Sequence, residues 1–130
     1  MRVLIADDHA VVRKGLCSIL ESRGDLEVCG EARDGEEAVQ KTLKLNPDLI
    51  VLDITMPALD GFSAARKIRA TLPDVPILML SMHDGPNVIE ASQAAGAQGF
   101  VTKTEVAGVL LEAVDRLLRG EIFFRTSTAE

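Results

Sequence analysis

Apolar runs and helix-spaced stripes alternate five times along the chain. RVLIAD, residues 2–7, is a continuous apolar run of strand length closed by an aspartate. VVRKGLCSIL then sets Val12, Leu16, Ile19 and Leu20 at helical spacing, with Gly24 as a stop signal. LEVCGEA is a second, weaker strand. DGEEAVQKTLKL follows as a helix with acidic residues in its first turn and lysines late, the distribution a helix dipole favours, and Asn46-Pro47 ends it. DLIVLDI is the third strand, and DGFSAARKIRATL places Phe62, Ala65, Ile68 and Leu72 on one helical face. Pro73 and Pro76 bracket a turn before ILMLS, the fourth strand. NVIEASQAAGA is a short Ala-rich helix and QGFVTK the fifth strand. VAGVLLEAVDRLLRG carries Val106, Val109, Leu110, Ala113, Val114, Leu117 and Leu118 as an amphipathic stripe closed by Gly120.

Strands with no polar alternation are buried on both faces, and strands that alternate with helices form parallel sheets through right-handed crossovers. The pattern therefore predicts an α/β fold, (βα)5, with five parallel strands and helices on both sides of the sheet, over residues 1–120. The stretch EIFFRTSTAE, residues 121–130, breaks the rhythm with two adjacent Phe residues and a Ser/Thr-rich end, and reads as the start of a linker. No internal repeat and no second domain interrupts the series.

Composition changes this picture little. A chain of 130 residues suffices for one core, and with neither Trp nor Tyr that core is aliphatic. The net charge of -6 argues against this domain gripping nucleic acid or an anionic membrane by itself. No apolar run has transmembrane length, the N-terminus lacks a signal-peptide layout, and Cys17 and Cys29 have neither redox nor zinc spacing. These features lead to the expectation of a cytoplasmic protein with two buried structural thiols.

The chemistry collects at one rim. In open α/β sheets, ligands bind beyond the carboxyl ends of the strands. Asp7 and Asp8 close the first strand there, Asp53 the third, Ser81 the fourth and Lys103 the fifth. Carboxylates ~5 Å apart at an effective dielectric near 20 repel by about 3 kcal/mol per pair. A divalent cation removes that cost, and a donor set of hard oxygens suits Mg2+ better than Zn2+. Lys103 supplies a positive charge and Ser81 a hydroxyl, both suited to a phosphoryl oxygen, and a central aspartate among such groups is the arrangement for forming an aspartyl phosphate. His9 and His83 belong to no ligand-spaced set and read as surface residues near the rim.

ADDH after the first strand, VLDITMPALDG after the third, LSMHD after the fourth and GFVTK at the fifth resemble the receiver domain of bacterial two-component response regulators. These motifs recur here in that family's order over residues 1–120. The resemblance implies a flavodoxin-like, doubly wound sheet with strand order 2-1-3-4-5 and Asp53 as phosphoacceptor. It further implies that Asp8, Asp53 and the backbone carbonyl of Thr55 ligate Mg2+, with Asp7 acting mainly through water. Ser81 takes the place of the switch hydroxyl, Lys103 pairs with the phosphoryl group, Phe100 holds the aromatic switch position, and Asp60-Gly61 matches the loop before the third helix. Such a domain is not a conventional enzyme, because it catalyses only its own phosphorylation and dephosphorylation. Its partner is a sensor histidine kinase.

Two departures stand out. Thr104 follows Lys103 where the family usually has Pro, which removes the reason for a cis peptide. Phe100 lacks the hydroxyl of the commoner Tyr, so a switch there works by burial alone. Thr55 and His83 sit where side chains set how fast water reaches the phosphoryl group.

LLRGEIFFRTSTAE resembles the end of the receiver in the NarL/FixJ class, in which a LuxR-type helix-turn-helix domain follows. The resemblance implies transcription control through a C-terminal DNA-binding domain absent from this chain, and a homodimer on phosphorylation. A stand-alone receiver in a phosphorelay is the alternative. A Mg2+-dependent phosphohydrolase of the haloacid dehalogenase type would need a second acid at position 55, which is Thr55, and a nucleotide-binding Rossmann protein would need G-x-G-x-x-G after the first strand.

Overall fold

The computed structural model describes residues 1–83 and 85–124. Strand β1 (Arg2–Ala6) leads into helix α1 (Ala10–Glu21), and the alternation continues through β2 (Glu27–Ala32), α2 (Gly35–Leu45), β3 (Leu49–Asp53) and α3 (Gly61–Thr71). It runs on through β4 (Ile77–Ser81), α4 (Pro86–Ala94), β5 (Gly99–Thr102) and α5 (Val106–Leu118), and ends in a short strand β6 (Phe123–Phe124). All strand pairs are parallel, in the order β2-β1-β3-β4-β5-β6.

The expected order 2-1-3-4-5 is present, but the sheet has six strands, not five. Phe123 and Phe124, expected in a linker, pair with Gly99 and Phe100, and the Phe123 N–H donates to the Gln98 carbonyl at 2.9 Å. The Arg116 guanidinium lies 5.6 Å from the centre of the Phe123 ring, a cation–π distance that ties this strand back to α5. A two-residue strand is too short to show a period. Residues 125–130, the remainder of the expected linker, lie outside the described residues, as does Asp84 of the LSMHD motif.

Each apolar strand feeds two cores, because successive side chains point to opposite faces. Val3, Ile5, Leu49, Val51, Leu78, Leu80 and Val101 meet Leu16 and Leu20 of α1 and Leu110, Ala113, Val114 and Leu117 of α5. Leu4, Ala6, Ile50, Leu52, Ile77, Met79 and Phe100 meet Ala38 of α2 and Ala64, Ala65 and Ile68 of α3. Short Ala side chains let α2 and α3 lie close to the sheet. A register shift at Val3/Leu4 leaves Cys29 as the extra residue of β2. Cys17 and Cys29 are half-buried rather than buried, since each lies on an element with one face toward solvent. Burial, reinforced by the charge of Glu31, pushes the Cys17 thiol up to about 11, which keeps it inert.

What positions the rim is the β3–α3 connection. Asp60 caps α3 by accepting from the Ser63 N–H at 2.8 Å, and the Gly61 N–H reaches back to the Ile54 carbonyl at 2.7 Å. A Cβ at Gly61 would lie 2.3 Å from the Asp53 carbonyl oxygen and 2.6 Å from the Ile54 Cα, backbone atoms that cannot rotate away. Gly61→Ala is expected to cost about 1–3 kcal/mol through this overpacking. A denaturant melt compared with wild type measures it, and an unchanged midpoint would mean the loop is softer than its contacts indicate.

Candidate functional site

The strand ends bring two buried carboxylates onto one lysine. Asp7 is fully buried and Asp53 is 1% exposed. The Lys103 Nζ lies 2.8 Å from Asp7 Oδ2 and 3.0 Å from Asp53 Oδ2. The contact to Asp53 is a hydrogen bond. The ammonium approaches Asp7 as an ionic neighbour off the hydrogen-bonding line, so Asp7 Oδ2 is a buried oxygen without an aligned donor. Asp53 Oδ1 accepts the Thr55 N–H at 3.2 Å. Burial, with the charge of Asp7 second, pushes Asp53 up to about 6 against the pull of Lys103. For Lys103, burial favours the neutral form, but Asp7 and Asp53 outweigh it and hold the ammonium above its ordinary value.

The surrounding backbone fixes these groups. Asp7 joins the sheet through its N–H to the Ala32 carbonyl at 3.0 Å, its Oδ1 accepts the His9 N–H at 2.8 Å, and its carbonyl accepts from Arg13 Nη1 at 2.7 Å. The Lys103 N–H donates to the Ser81 carbonyl at 2.8 Å, so β4 sets the height of the lysine. Asp8 stands at the mouth of the pocket, partly exposed. Ser81 is buried at the end of β4, where its Oγ accepts the His83 N–H at 3.0 Å and makes no hydrogen bond to Asp53 or Lys103. Thr55 is exposed, and it is its amide that touches Asp53. Phe100 is fully buried in the core beneath α3 and α4, away from the carboxylates. His83 is exposed. No cis peptide occurs among the described residues.

Two neighbours of the pocket escaped the sequence reading. Arg13 clamps the Asp7 backbone while its Nε reaches Glu31 at 3.1 Å, a role visible only once α1 lies beside β2. His9, expected at the surface, is 64% exposed in its side chain yet turns Nδ1 to within 3.3 Å of Asp7 and 3.2 Å of Asp8. Asp7, Asp8, His9 and Asp53 each offer one ligand atom, all within 4.8 Å of one another. These four residues could therefore hold a metal ion.

Residues 3–115 match the response regulator receiver domain family. The chain belongs to that family. Its curated relatives include the response regulator protein VraR of Staphylococcus aureus, 37% identical over 124 residues, which are 95% of this chain and 59% of VraR. The receiver thus spans about three-fifths of the length of the curated relatives it matches. Among solved structures it is similar to a LuxR-family two-component response regulator from Aurantimonas sp. SI85-9A1. That match has a TM-score of 0.90 and 34% identity, and covers 94% of this chain and 87% of that one. It is also similar to the signal receiver domain of NarL from Mycobacterium tuberculosis, with a TM-score of 0.87, 32% identity, and coverage of 92% and 97%. The receiver is accordingly a flavodoxin-like signalling module of bacterial two-component systems, and its relatives are LuxR- and NarL-family regulators. No helix among the described residues is long and apolar enough to cross a membrane.

Proposed function

We propose that Asp53 accepts a phosphoryl group from a histidine kinase or a small phosphodonor in a Mg2+-dependent reaction, and that the resulting charge switches the surface around α4 and β5. The observation that carries the reading is the pairing of buried Asp53 with Lys103 beside a second buried carboxylate, Asp7. The donor set fits Mg2+: all its carboxylate oxygens are hard, and Asp7 Oδ2 is buried with no aligned donor. Asp8, Asp53 and the Thr55 carbonyl would hold the ion, with Asp7 behind a water. When bound, Mg2+ supplies charge neutralisation to the transferring phosphoryl oxygens.

The remaining work falls to the chain. One Asp53 oxygen attacks phosphorus in line as the bond to the donor breaks, and the donor leaves with the electron pair of that bond. Lys103 then shifts from the carboxylate pair to a phosphoryl oxygen, held in reach by its backbone bond to Ser81. The Ser81 hydroxyl exchanges the His83 N–H for the phosphoryl group, which draws the β4–α4 connection inward. Phe100 lies fully buried in β5, in the element that joins Lys103 to the far edge of the sheet. Only Ser92 of α4 is fully buried, so that helix costs little to displace. On activation with beryllofluoride, backbone amide NMR signals of residues 81–105 are expected to move more than those of α1 to α3. Uniformly unmoved signals there would eliminate the switch.

The output lies outside these residues in this reading. The receiver extends through β6 at Phe124, the chain beyond it leads to a LuxR-type DNA-binding domain, and phosphorylation favours a homodimer in the cytoplasm. The acidic receiver itself makes no contact with DNA. LuxR-family relatives and a 59% share of VraR support this. The length of the parent open reading frame separates it from a stand-alone receiver. Intact-mass analysis with acetyl phosphate tests the phosphoryl chemistry.

A further inference from the structure

Arg13 touches no carboxylate of the pocket, yet its side chain is only 13% exposed. From α1 it leans back toward the start of the helix, as helical side chains do, and its Nη1 donates to the Asp7 carbonyl at 2.7 Å. Its Nε meets Glu31 Oε1 on β2 at 3.1 Å, so the guanidinium is held from both sides. The Asp7 N–H closes the ladder to β2 on the Ala32 carbonyl, but β2 stops at Ala32. No backbone N–H among the described residues reaches the Asp7 carbonyl, and Arg13 takes the place of the missing strand partner.

A peptide unit is planar, so fixing the Asp7 carbonyl fixes the Asp7–Asp8 plane and sets where the Asp8 Cα stands. The rest of the turn is tied to the same residue. Asp7 Oδ1 accepts the His9 N–H at 2.8 Å, and the His9 carbonyl accepts the Arg13 N–H at 3.0 Å. Arg13 thus holds the turn at both ends, with its side chain on Asp7 and its backbone on His9. Asp8 lies between them, partly exposed at the mouth of the pocket, and takes its position from this turn.

The geometry points to Arg13 as a positioning residue for phosphorylation: braced on Glu31, it holds the Asp7 carbonyl and so aims Asp8 at the pocket. The inference rests on the reading of that pocket as a Mg2+ site. Charge alone predicts the opposite effect. Arg13 is a cation set against the pocket backbone, so as a bare charge it would repel Mg2+ and its removal would tighten binding. As a brace it does the reverse, and its removal weakens binding. Lysine separates the two roles, because a point charge keeps the sign but cannot span a carbonyl and a carboxylate as the planar guanidinium does.

Calorimetric titration with Mg2+ tests this on wild type, Arg13→Lys, Arg13→Gln, Glu31→Gln, the Arg13→Gln/Glu31→Gln double variant and Asp53→Asn. Amide NMR of the Mg2+-free chains accompanies it, and affinities are compared between chains whose α3 amides match wild type. Both Arg13 variants are expected to bind Mg2+ about tenfold more weakly, the size of a lost outer contact of a metal site. Glu31→Gln should weaken binding less and add nothing to Arg13→Gln, since the two side chains act as one unit. Without Mg2+, the His9 amide should move further in the Arg13 variants than any amide of α3. With acetyl phosphate, the Mg2+ concentration for half-maximal phosphorylation should rise about tenfold while the rate at saturating Mg2+ stays at the wild-type value, a split that general loosening of the fold would not give. Mg2+ affinity unchanged or tighter in Arg13→Gln, or wild-type affinity in Arg13→Lys, overturns the inference and leaves the Mg2+ site standing. Wild type binding Mg2+ no better than Asp53→Asn overturns the Mg2+ site itself, and the inference with it.

Discussion

Incubated with Mg2+ and acetyl phosphate, the wild-type chain is expected to gain one phosphoryl group by intact mass, Asp53→Asn none, and wild type in EDTA none. The amide keeps the shape of the carboxylate and a contact for Lys103, but it has no anionic oxygen to attack phosphorus. An adduct on both proteins would assign the chemistry to another carboxylate. No adduct on wild type, with Mg2+ bound, would mean that small phosphodonors do not serve it. The same pair of proteins carries a stability signature. Asp53 stands at about 6 in the folded chain against an ordinary 3.8, so its ionised form destabilises the fold. That cost is absent below pH 3.8, grows between 3.8 and about 6, and is complete above 6. Without Mg2+, Asp53→Asn is therefore expected to melt above wild type at pH 7.5, with the gap closing as pH falls through about 6. Mg2+ at 100 times its Kd adds about 2.7 kcal/mol to wild type. The variant should lose most of that increment, and a variant that melts below wild type at pH 7.5 would contradict the electrostatic account.

Lys103→Met is expected to be the most destabilising single change in the pocket. The lysine side chain is 8% exposed and is the cation lying against two nearly inaccessible carboxylates. Its removal leaves Asp7 and Asp53 buried, adjacent and uncompensated, which typically costs about 3 kcal/mol or more. Met preserves much of the stem, so a lost charge rather than a cavity is what the experiment reads. In a denaturant melt without Mg2+ the midpoint should fall at pH 7.5, and added Mg2+ should recover more stability in this variant than in wild type, because the ion replaces the missing charge. Acidification toward pH 5 should also narrow the deficit, since protonating Asp53 removes one of the opposed charges. A deficit unaffected by either Mg2+ or pH would assign Lys103 a packing role instead.

The chain's own pattern specified the alternation of five strands and five helices, because every strand but the weaker β2 is apolar on both faces and each helix on one. That pattern alone puts Asp7, Asp8, Asp53, Ser81 and Lys103 at carboxyl ends of strands, hence on one rim. Charge arithmetic then makes the rim a cation site, and the motifs around those residues carry the family. Periodicity could not reach the contacts that depend on which strands adjoin. Lys103 meets Asp7 and Asp53 across a gap of 96 and 50 positions only because β1, β3, β4 and β5 lie in that order. Arg13 reaches Glu31 only because α1 lies beside β2. His9 reads as a surface residue near the rim because it belongs to no ligand-spaced set, and it is one, but only the turn that starts α1 shows its Nδ1 set beside Asp7 and Asp8. Phe123 and Phe124 looked like a linker because two residues carry no period, yet the open edge of β5 gives their backbone a hydrogen-bonding partner and α5 gives Phe123 a cover. Local sequence thus determined which residues form each element and which polar groups end the strands. The tertiary structure alone decided which of those groups touch, because ion pairing and strand addition depend on distances between segments far apart in the chain.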